Sequence, residues 1–258
     1  MGDDSRWFRQ YQKDCPAAAK RLICFPHAGG SANYFLPVAR ALDGIVDVLA
    51  VQYPGRSYRR GETCASTIGS LADAVAEEGA GWLDRPTTLF GHSMGALVAF
   101  EVARRLEAGG GVPLSLLLSG RRAPSIRAEQ AVRLDTHDDV IAELTRLGGT
   151  HPALLEDNAA ALRALLPVLR ADYEAVTGYE TANARTVTAH VPLTAPLLVY
   201  AGDKDPEVTQ EEAAAWQRHT TGEFEVRTYL GGHFYPVAEE NGALKVIRAA
   251  VARCPASG

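Results

Sequence analysis

Thr87-Thr88-Leu89-Phe90-Gly91-His92-Ser93-Met94-Gly95-Ala96-Leu97-Val98 is the stretch on which the reading of this chain turns. A short apolar run leads in, a G-x-S-x-G sequence occupies the middle, and an apolar-striped segment leads out. Runs of this length suit a buried strand, and apolar positions three and four residues apart suit a helix. The order strand, sharp turn, helix raises a serine side chain above the edge of a sheet, facing a ligand. In a chain with 24 glycines a G-x-S-x-G match is a weak signal by itself. The strand before it and the helix after it give it weight. Gly91 and Gly95, lacking side chains, let neighbouring backbone come close to the turn.

Outward from the turn, short apolar runs alternate with helical patterns, the signature of parallel strands joined by crossover helices. Strands are expected at 22–25, 46–51, 87–90, 114–118, 197–200 and 224–229, and helices at 34–42, 67–83, 94–108, 210–219 and 243–253. Thr209 with Glu212 and Thr136 with Asp139 have the spacing of helix-opening capping pairs. Gly109, Gly110 and Gly111 close the helix that follows the turn. From about 125 to 195 the alternation stops: helical patterns continue, with a long amphipathic one at 158–176 interrupted by Pro167, and no clear strand appears. Strand patterns resume at Leu197. The expectation is therefore a single α/β domain over 1–258 carrying a helical insertion at 125–195.

Composition bounds the function. The chain has 258 residues, 47% of them hydrophobic and 22% charged, enough to bury a large core and too apolar for disorder. A net charge of −5 and a pI near 5.8 argue against nonspecific nucleic-acid binding. No apolar run approaches the roughly 18 residues of a membrane helix, and the first twenty residues have no apolar core, so no secretory signal is expected. Cys15, Cys24, Cys64 and Cys254 are scattered without paired spacing, which disfavours a disulfide framework and a zinc site and fits a reducing cytoplasm. Cys24, inside an apolar run, reads as a buried thiol.

A serine hydroxyl is a weak nucleophile and needs a base that a third group orients. On this architecture the order along the chain is serine, acid, histidine. Among the seven histidines, His27 and His92 precede the nucleophile, and a side chain one residue before it is expected to point elsewhere. His137, His151 and His190 fall in or beside the insertion, and His219 ends a helix, all reading as surface positions. His233, in Gly231-Gly232-His233-Phe234 after the last expected strand, reads as the base. The acid should leave the end of another strand. Ala201-Gly202-Asp203-Lys204-Asp205-Pro206 offers two: Pro206 favours an extended backbone at Asp205, while Asp203 could instead hold the turn through local amides. Asp205 is preferred, with Asp203 open. The oxyanion of acyl transfer needs two donors: the backbone amides of Met94, opening the helix, and of Ala28, in the glycine-bearing loop Phe25-Pro26-His27-Ala28-Gly29-Gly30. No lysine with serine or threonine follows that loop, which discounts a phosphate cradle. Arg56, Arg59, Arg60, Arg121 and Arg122 follow expected strands and so lie towards the same face, as solvated or paired charges or as an attraction for an acidic partner.

The residues also resemble a known family, the stand-alone (type II) thioesterases that accompany polyketide and nonribosomal peptide synthases. The likeness is carried by Phe25–Ser31, by Tyr53-Pro54-Gly55-Arg56 and by Gly91–Gly95 running into Ala96-Leu97-Val98-Ala99-Phe100-Glu101. Ser119-Gly120-Arg121-Arg122-Ala123-Pro124, Leu169-Arg170-Ala171-Asp172-Tyr173 and Gly231-Gly232-His233-Phe234 add to it. The resemblance implies an α/β-hydrolase fold, a mostly parallel central sheet flanked by helices, with the insertion as a helical lid. It implies hydrolysis of acyl groups held as thioesters on the phosphopantetheine arm of acyl or peptidyl carrier proteins. By position its nucleophile falls on Ser93, its acid on Asp205, its base on His233 and its oxyanion donors on Ala28 and Met94. No metal or cofactor is implied. Ser57 stands where the family often has glycine, and His151 separates Thr150 from Pro152 where the two are expected to adjoin.

Overall fold

A computed structural model describes residues 5–12, 20–110, 114–127, 132–148, 159–184, 191–234, 244, 247, 248, 250 and 251. Seven strands form one sheet: β1 (Phe8–Gln10), β2 (Arg21–Phe25), β3 (Asp47–Val51), β4 (Thr87–His92), β5 (Leu114–Ser119), β6 (Leu197–Gly202) and β7 (Phe224–Tyr229). Their spatial order is β1-β3-β2-β4-β5-β6-β7. All neighbours are parallel except β1, which pairs antiparallel with β3 through Phe8 opposite Val51. The six expected strands are present. β1 was not anticipated: with three residues, one of them buried, it offers no period to read.

The helices are α1 (Leu36–Ala41), α2 (Ile68–Gly79), α3 (Met94–Ala108), α4 (His137–Arg146), α5 (Ala159–Ala184) and α6 (Gln210–Ala214). Several expected helices are tighter at one end, where 3₁₀ turns take over at Ala32–Phe35, Ala80–Trp82 and Ala215–His219. Both capping pairs form, with Thr136 and Thr209 accepting from the amides of Asp139 and Glu212 and those carboxylates bonding back. Gly109 and Gly110 end α3, Gly110 in the left-handed region at φ 72°. In the stretch expected as a helix at 243–253, residues 244, 247, 248, 250 and 251 are helical.

Side chains alternate across the sheet, as a two-residue repeat requires. Ile23, Phe25, Leu49, Val51, Leu89, Leu116, Leu118, Leu197 and Val199 face α2, α3 and Trp216. Leu22, Cys24, Val48, Ala50, Phe90, Leu117 and Tyr200 face α1 and the C-terminal Ile247, Ala250 and Val251. Burial pushes the Cys24 thiol well above its usual pKa, which leaves it unreactive.

Between β5 and β6, which pair in parallel, the chain forms α4 and α5. One expectation is corrected here. Pro167 does not interrupt α5, which runs unbroken from Ala159 to Ala184. A proline inside a helix removes one hydrogen bond and costs about 3 kcal/mol, but α5 packs on both sides of it. Leu162 and Leu169 join Leu134 and Val140 in a small separate core, and Ala175 enters the main one.

Candidate active site

From β2 the chain crosses to β3 on one side and then to β4 on the other. The loops leaving the carboxyl ends of β2 and β4 therefore part, and a crevice opens where strand order reverses. Residues 26–30 and 92–94 border it.

Ser93 sits at φ 54° and ψ −121°, a region that a side-chain-bearing residue adopts at a cost of about 1–3 kcal/mol. The surroundings hold it there. Its amide donates to the Ser119 carbonyl at 2.8 Å and its carbonyl accepts from the Ala96 amide at 2.9 Å. Gly91 and Gly95 are obligatory: a Cβ at Gly91 would lie 2.2 Å from the Gly95 carbonyl oxygen, and one at Gly95 would lie 2.0 Å from that of Phe25. Met94 begins α3, where backbone amides have no acceptor within the helix. Ala28 lies in the loop after β2 and packs against both the main core and the α4–α5 core.

His233 and Asp205 meet. The ring Nδ1 donates to both carboxylate oxygens, at 2.9 and 3.0 Å, with the side chains 1% and 0% exposed. Asp205 also accepts from the Glu207 amide at 2.9 Å. Asp203 is exposed, and its Oδ1 accepts from the Gly231 amide at 2.7 Å, pinning the loop that carries the histidine. Among the described residues no hydrogen bond joins the Ser93 hydroxyl to His233; such contacts often tighten only when substrate binds.

Two further histidines line the same place, which corrects the expectation that His92 points away. Its buried ring lies 4.8 Å from that of His233, centroid to centroid, and its Nδ1 shares a hydrogen bond with the Ser119 hydroxyl at 3.1 Å. The His27 ring is 5.9 Å from that of His92 and 5.0 Å from that of Phe234. Burial, and then the neighbouring His233 charge, lowers the pKa of His27 to about 3 and that of His92 well below the usual value. Both rings are therefore neutral at physiological pH. His219, expected at the surface, is also buried, its ring meeting those of Phe100 and Trp216 edge-on at the end of the 3₁₀ turn. His137 is half-buried at the start of α4. His151 and His190 lie outside the described residues.

The arginines do not form a free rim. Arg56 is buried against Asp172, with both terminal nitrogens on its carboxylate at 2.5 and 2.8 Å. Arg59 is buried against Glu62 and lies 4.2 Å from the Trp7 ring centroid. Arg121 pairs with Glu180, and Arg122 donates to the Glu207 carbonyl and approaches Glu212 at 3.5 Å. Of the five only Arg60 is exposed. Four of the five are thus engaged within the fold, which, of the two readings open from the sequence, favours paired charge. Among the described residues no three His, Cys, Asp or Glu side chains group as a metal site, and no helix is long and apolar enough to cross a membrane.

A profile for the Thioesterase domain matches residues 20–253. The chain is a member of the thioesterase family. This thioesterase is 44% identical over 231 residues to a probable cadicidin biosynthesis thioesterase of Streptomyces griseus, a match covering 90% of the chain and 62% of that relative, under two thirds of its length. It is 44% identical over 238 residues to the thioesterase PikA5 of Streptomyces venezuelae, covering 90% of the chain and 81% of the relative. The solved structure of the type II thioesterase BorB from the borrelidin biosynthetic cluster superposes with a TM-score of 0.84 at 42% identity, over 95% of this thioesterase and 97% of that chain. The α/β-hydrolase architecture expected from the sequence is thereby shown.

Sequence reasoning missed the Arg56–Asp172 pair and the neutral histidines around His233. Arg56 and Asp172 each lay in a stretch that carried the family resemblance, but the two are 116 residues apart and nothing local joins them.

Proposed function

We propose that this protein is a type II, editing thioesterase that releases acyl chains held as thioesters on the phosphopantetheine arm of an acyl or peptidyl carrier protein in polyketide or nonribosomal peptide biosynthesis. The observation that carries the reading is the buried His233–Asp205 pair, set beside the histidine that precedes Ser93. The named relatives, thioesterases of biosynthetic clusters, support the substrate class. The scattered spacing of the four cysteines, with Cys24 and Cys64 free, supports a cytoplasmic setting.

In this reading His233 takes the proton of Ser93 as its oxygen attacks the thioester carbonyl. Asp205 holds the ring in the tautomer that presents a free nitrogen and stabilises the imidazolium that forms. His27 and His92, being neutral, neither compete for the proton nor add a fixed positive charge. The amides of Ala28 and Met94 receive the oxyanion. Collapse of the intermediate expels the pantetheine sulfur, an easy departure for a thiol of pKa about 8.5, and the sulfur takes the proton from His233, leaving the thiol and a neutral base. Water then gives a proton to His233 and attacks the acyl-enzyme, and that proton passes to the Ser93 oxygen as the free acid leaves. The net change is thioester plus water to acid plus thiol. The α4–α5 insertion acts as a lid that excludes competing water and shapes the acyl site.

The test is a hydrolysis panel of one acyl group on a carrier protein, on coenzyme A, on a short thiol and as a simple oxygen ester, with Ser93→Ala beside the wild type. The expected result is highest kcat/KM on the carrier protein and a loss of about 10³-fold or more in Ser93→Ala. Equal turnover of the oxygen ester would make the protein a general esterase, and near-normal turnover in Ser93→Ala would remove the mechanism.

A further inference from the structure

The Gly29 amide, one residue beyond the proposed oxyanion donor, does not bond locally. It donates to Asp172 Oδ2 at 2.7 Å, across 143 residues of chain. Arg56 grips the same carboxylate with two nitrogens, and both side chains are buried, Asp172 at 1% exposure and Arg56 at 6%. Arg56 is aimed by its own loop. Its Nε donates to the Pro54 carbonyl at 3.2 Å and its guanidinium lies 5.4 Å from the Tyr53 ring centroid. The Gln52 side chain spans the gap, donating to the Tyr53 and Arg56 carbonyls and accepting from the Ala32 amide at the far end of the oxyanion loop. Two loops distant in sequence, those after β2 and β3, therefore converge on one carboxylate carried by α5.

The contact fixes the loop. Within it, the Gly30 amide bonds the His27 carbonyl at 3.0 Å, closing a turn around Ala28. The peptide joining Ala28 to Gly29 is planar, so anchoring its N–H sets that plane and with it the backbone on one side of Ala28. The other side is set by the turn. The helix also rests directly on the loop: Gly29 lies at φ 75°, and a Cβ there would be 2.6 Å from Leu169 Cδ2 and 3.3 Å from Leu165 Cδ1, both on α5. An ion pair serving stability alone has no need of the backbone amide, and a buried pair is in any case weak support for stability.

We propose that Asp172 is a positioning residue for hydrolysis: seated by Arg56, it orients the loop that carries Ala28, so that the oxyanion hole is complete only while α5 is docked. This rests on the reading of Ala28 as an oxyanion donor. Motion confined to the first half of α5 would leave the hole formed, whereas any motion that carries Asp172 away from the loop would switch it off.

The experiment uses the full-length enzyme with hexanoyl-N-acetylcysteamine, and kcat is expressed per site titrated to completion with a fluorophosphonate. In Asp172→Asn, one amide oxygen must serve both Arg56 and Gly29. The expected result is kcat lower by about 10²-fold, the size of losing one oxyanion donor, with KM within about threefold and the pH midpoint unmoved, since the His233–Asp205 pair is untouched. Because that variant could fail to fold, Gly29 is separately replaced by glycolic acid, which deletes its N–H and leaves Arg56–Asp172 in place. The same fall is expected, and an unchanged kcat overturns the proposal. Replacing Ala28 by lactic acid deletes the donor itself. No fall there removes the Ala28 reading and the proposal with it. A fall there with none at Gly29 or Asp172 keeps the reading and overturns the coupling. Combining the Ala28 and Gly29 replacements should add little to either alone; losses that multiply would place Asp172 in some other role.

Discussion

Asp205 and Asp203 stand two residues apart, and the geometry separates them by what each faces. Both oxygens of Asp205 are turned to the His233 ring, whereas Asp203 holds a backbone amide from the surface. Asp205→Asn would set an amide NH₂ against the ring N–H and favour the wrong tautomer, so kcat on a short acyl thioester is expected to fall by about 10³- to 10⁴-fold. Asp203→Asn keeps a carbonyl oxygen for the Gly231 amide and should cost less than about tenfold. Measuring both variants side by side checks the assignment, and the opposite ranking would give the acid's role to Asp203. Ser57 is the other residue where geometry speaks. It lies at φ 53°, a left-handed backbone that glycine adopts without strain. The left-handed region costs an L-residue roughly 1–2 kcal/mol and a glycine costs about 0.5–1 kcal/mol in unfolded-state entropy. Ser57→Gly should therefore stabilise by up to about 1 kcal/mol, visible as a rise of roughly 2–4 °C in melting temperature. A fall would show that the Ser57 side chain makes a contact worth more than its strain.

At the scale of elements, α5 has two differently held halves. Beyond Leu169 it is tied to the body by Asp172 to Arg56, by the Tyr179 hydroxyl donating to Glu101 at 2.9 Å, and by Glu180 to Arg121. Before Leu169 it packs mainly on α4, in a core separate from that of the sheet. Pro167, lacking an N–H, leaves out the helical bond to the Arg163 carbonyl near the boundary between them. Hydrogen exchange should thus show 137–146 and 160–166 opening more readily than 172–180, and 172–180 matching α3. Uniform protection along α5 would remove the idea of a lid that moves by its first half alone.

For the whole molecule, the neutral histidines set a pH dependence. His27 takes a proton near pH 3 when folded and His92 also resists protonation, while an unfolded chain protonates both near 6.5. Their folded pKa values lie below the unfolded ones, so stability is full above about pH 6.5 and drains as the pH falls below it. With both groups titrating the slope approaches about 2.7 kcal/mol per pH unit. Paired carboxylates such as Glu62, lowered to about 2, add their loss only below about pH 4.5. Urea midpoints at pH 7, 5.5 and 4.5 should already fall over the first interval, and His27→Asn with His92→Asn should flatten that fall. Loss confined to pH values below 4.5 would assign acid lability to the carboxylates.

Much of the architecture was legible because it depends on neighbours within four residues. The alternation that sorts Leu22 from Ile23, the capping pairs at Thr136 and Thr209, and the glycines either side of Ser93 each act locally, and six strands and the Ser93 turn could be read from them. Three-residue β1 carried too little pattern. Pro167 carried a local penalty that packing on both sides outweighed. Asp205 was preferred to Asp203 on the strength of Pro206 alone, and it is the return of 231–233 across the end of β6 that sets one carboxylate against His233 and the other against a backbone amide. The arginines show the limit most plainly. Their place after strands was correct, but Arg56 meets Asp172 and Arg121 meets Glu180 across 116 and 59 residues. Sequence by itself determined which segments are strands and helices and where a nucleophile could stand, since backbone sterics and side-chain period are short-range. Tertiary structure decided which charges are cancelled, which histidines stay neutral and what holds the loop after β2, since burial and ion pairing depend on the order in which strands assemble.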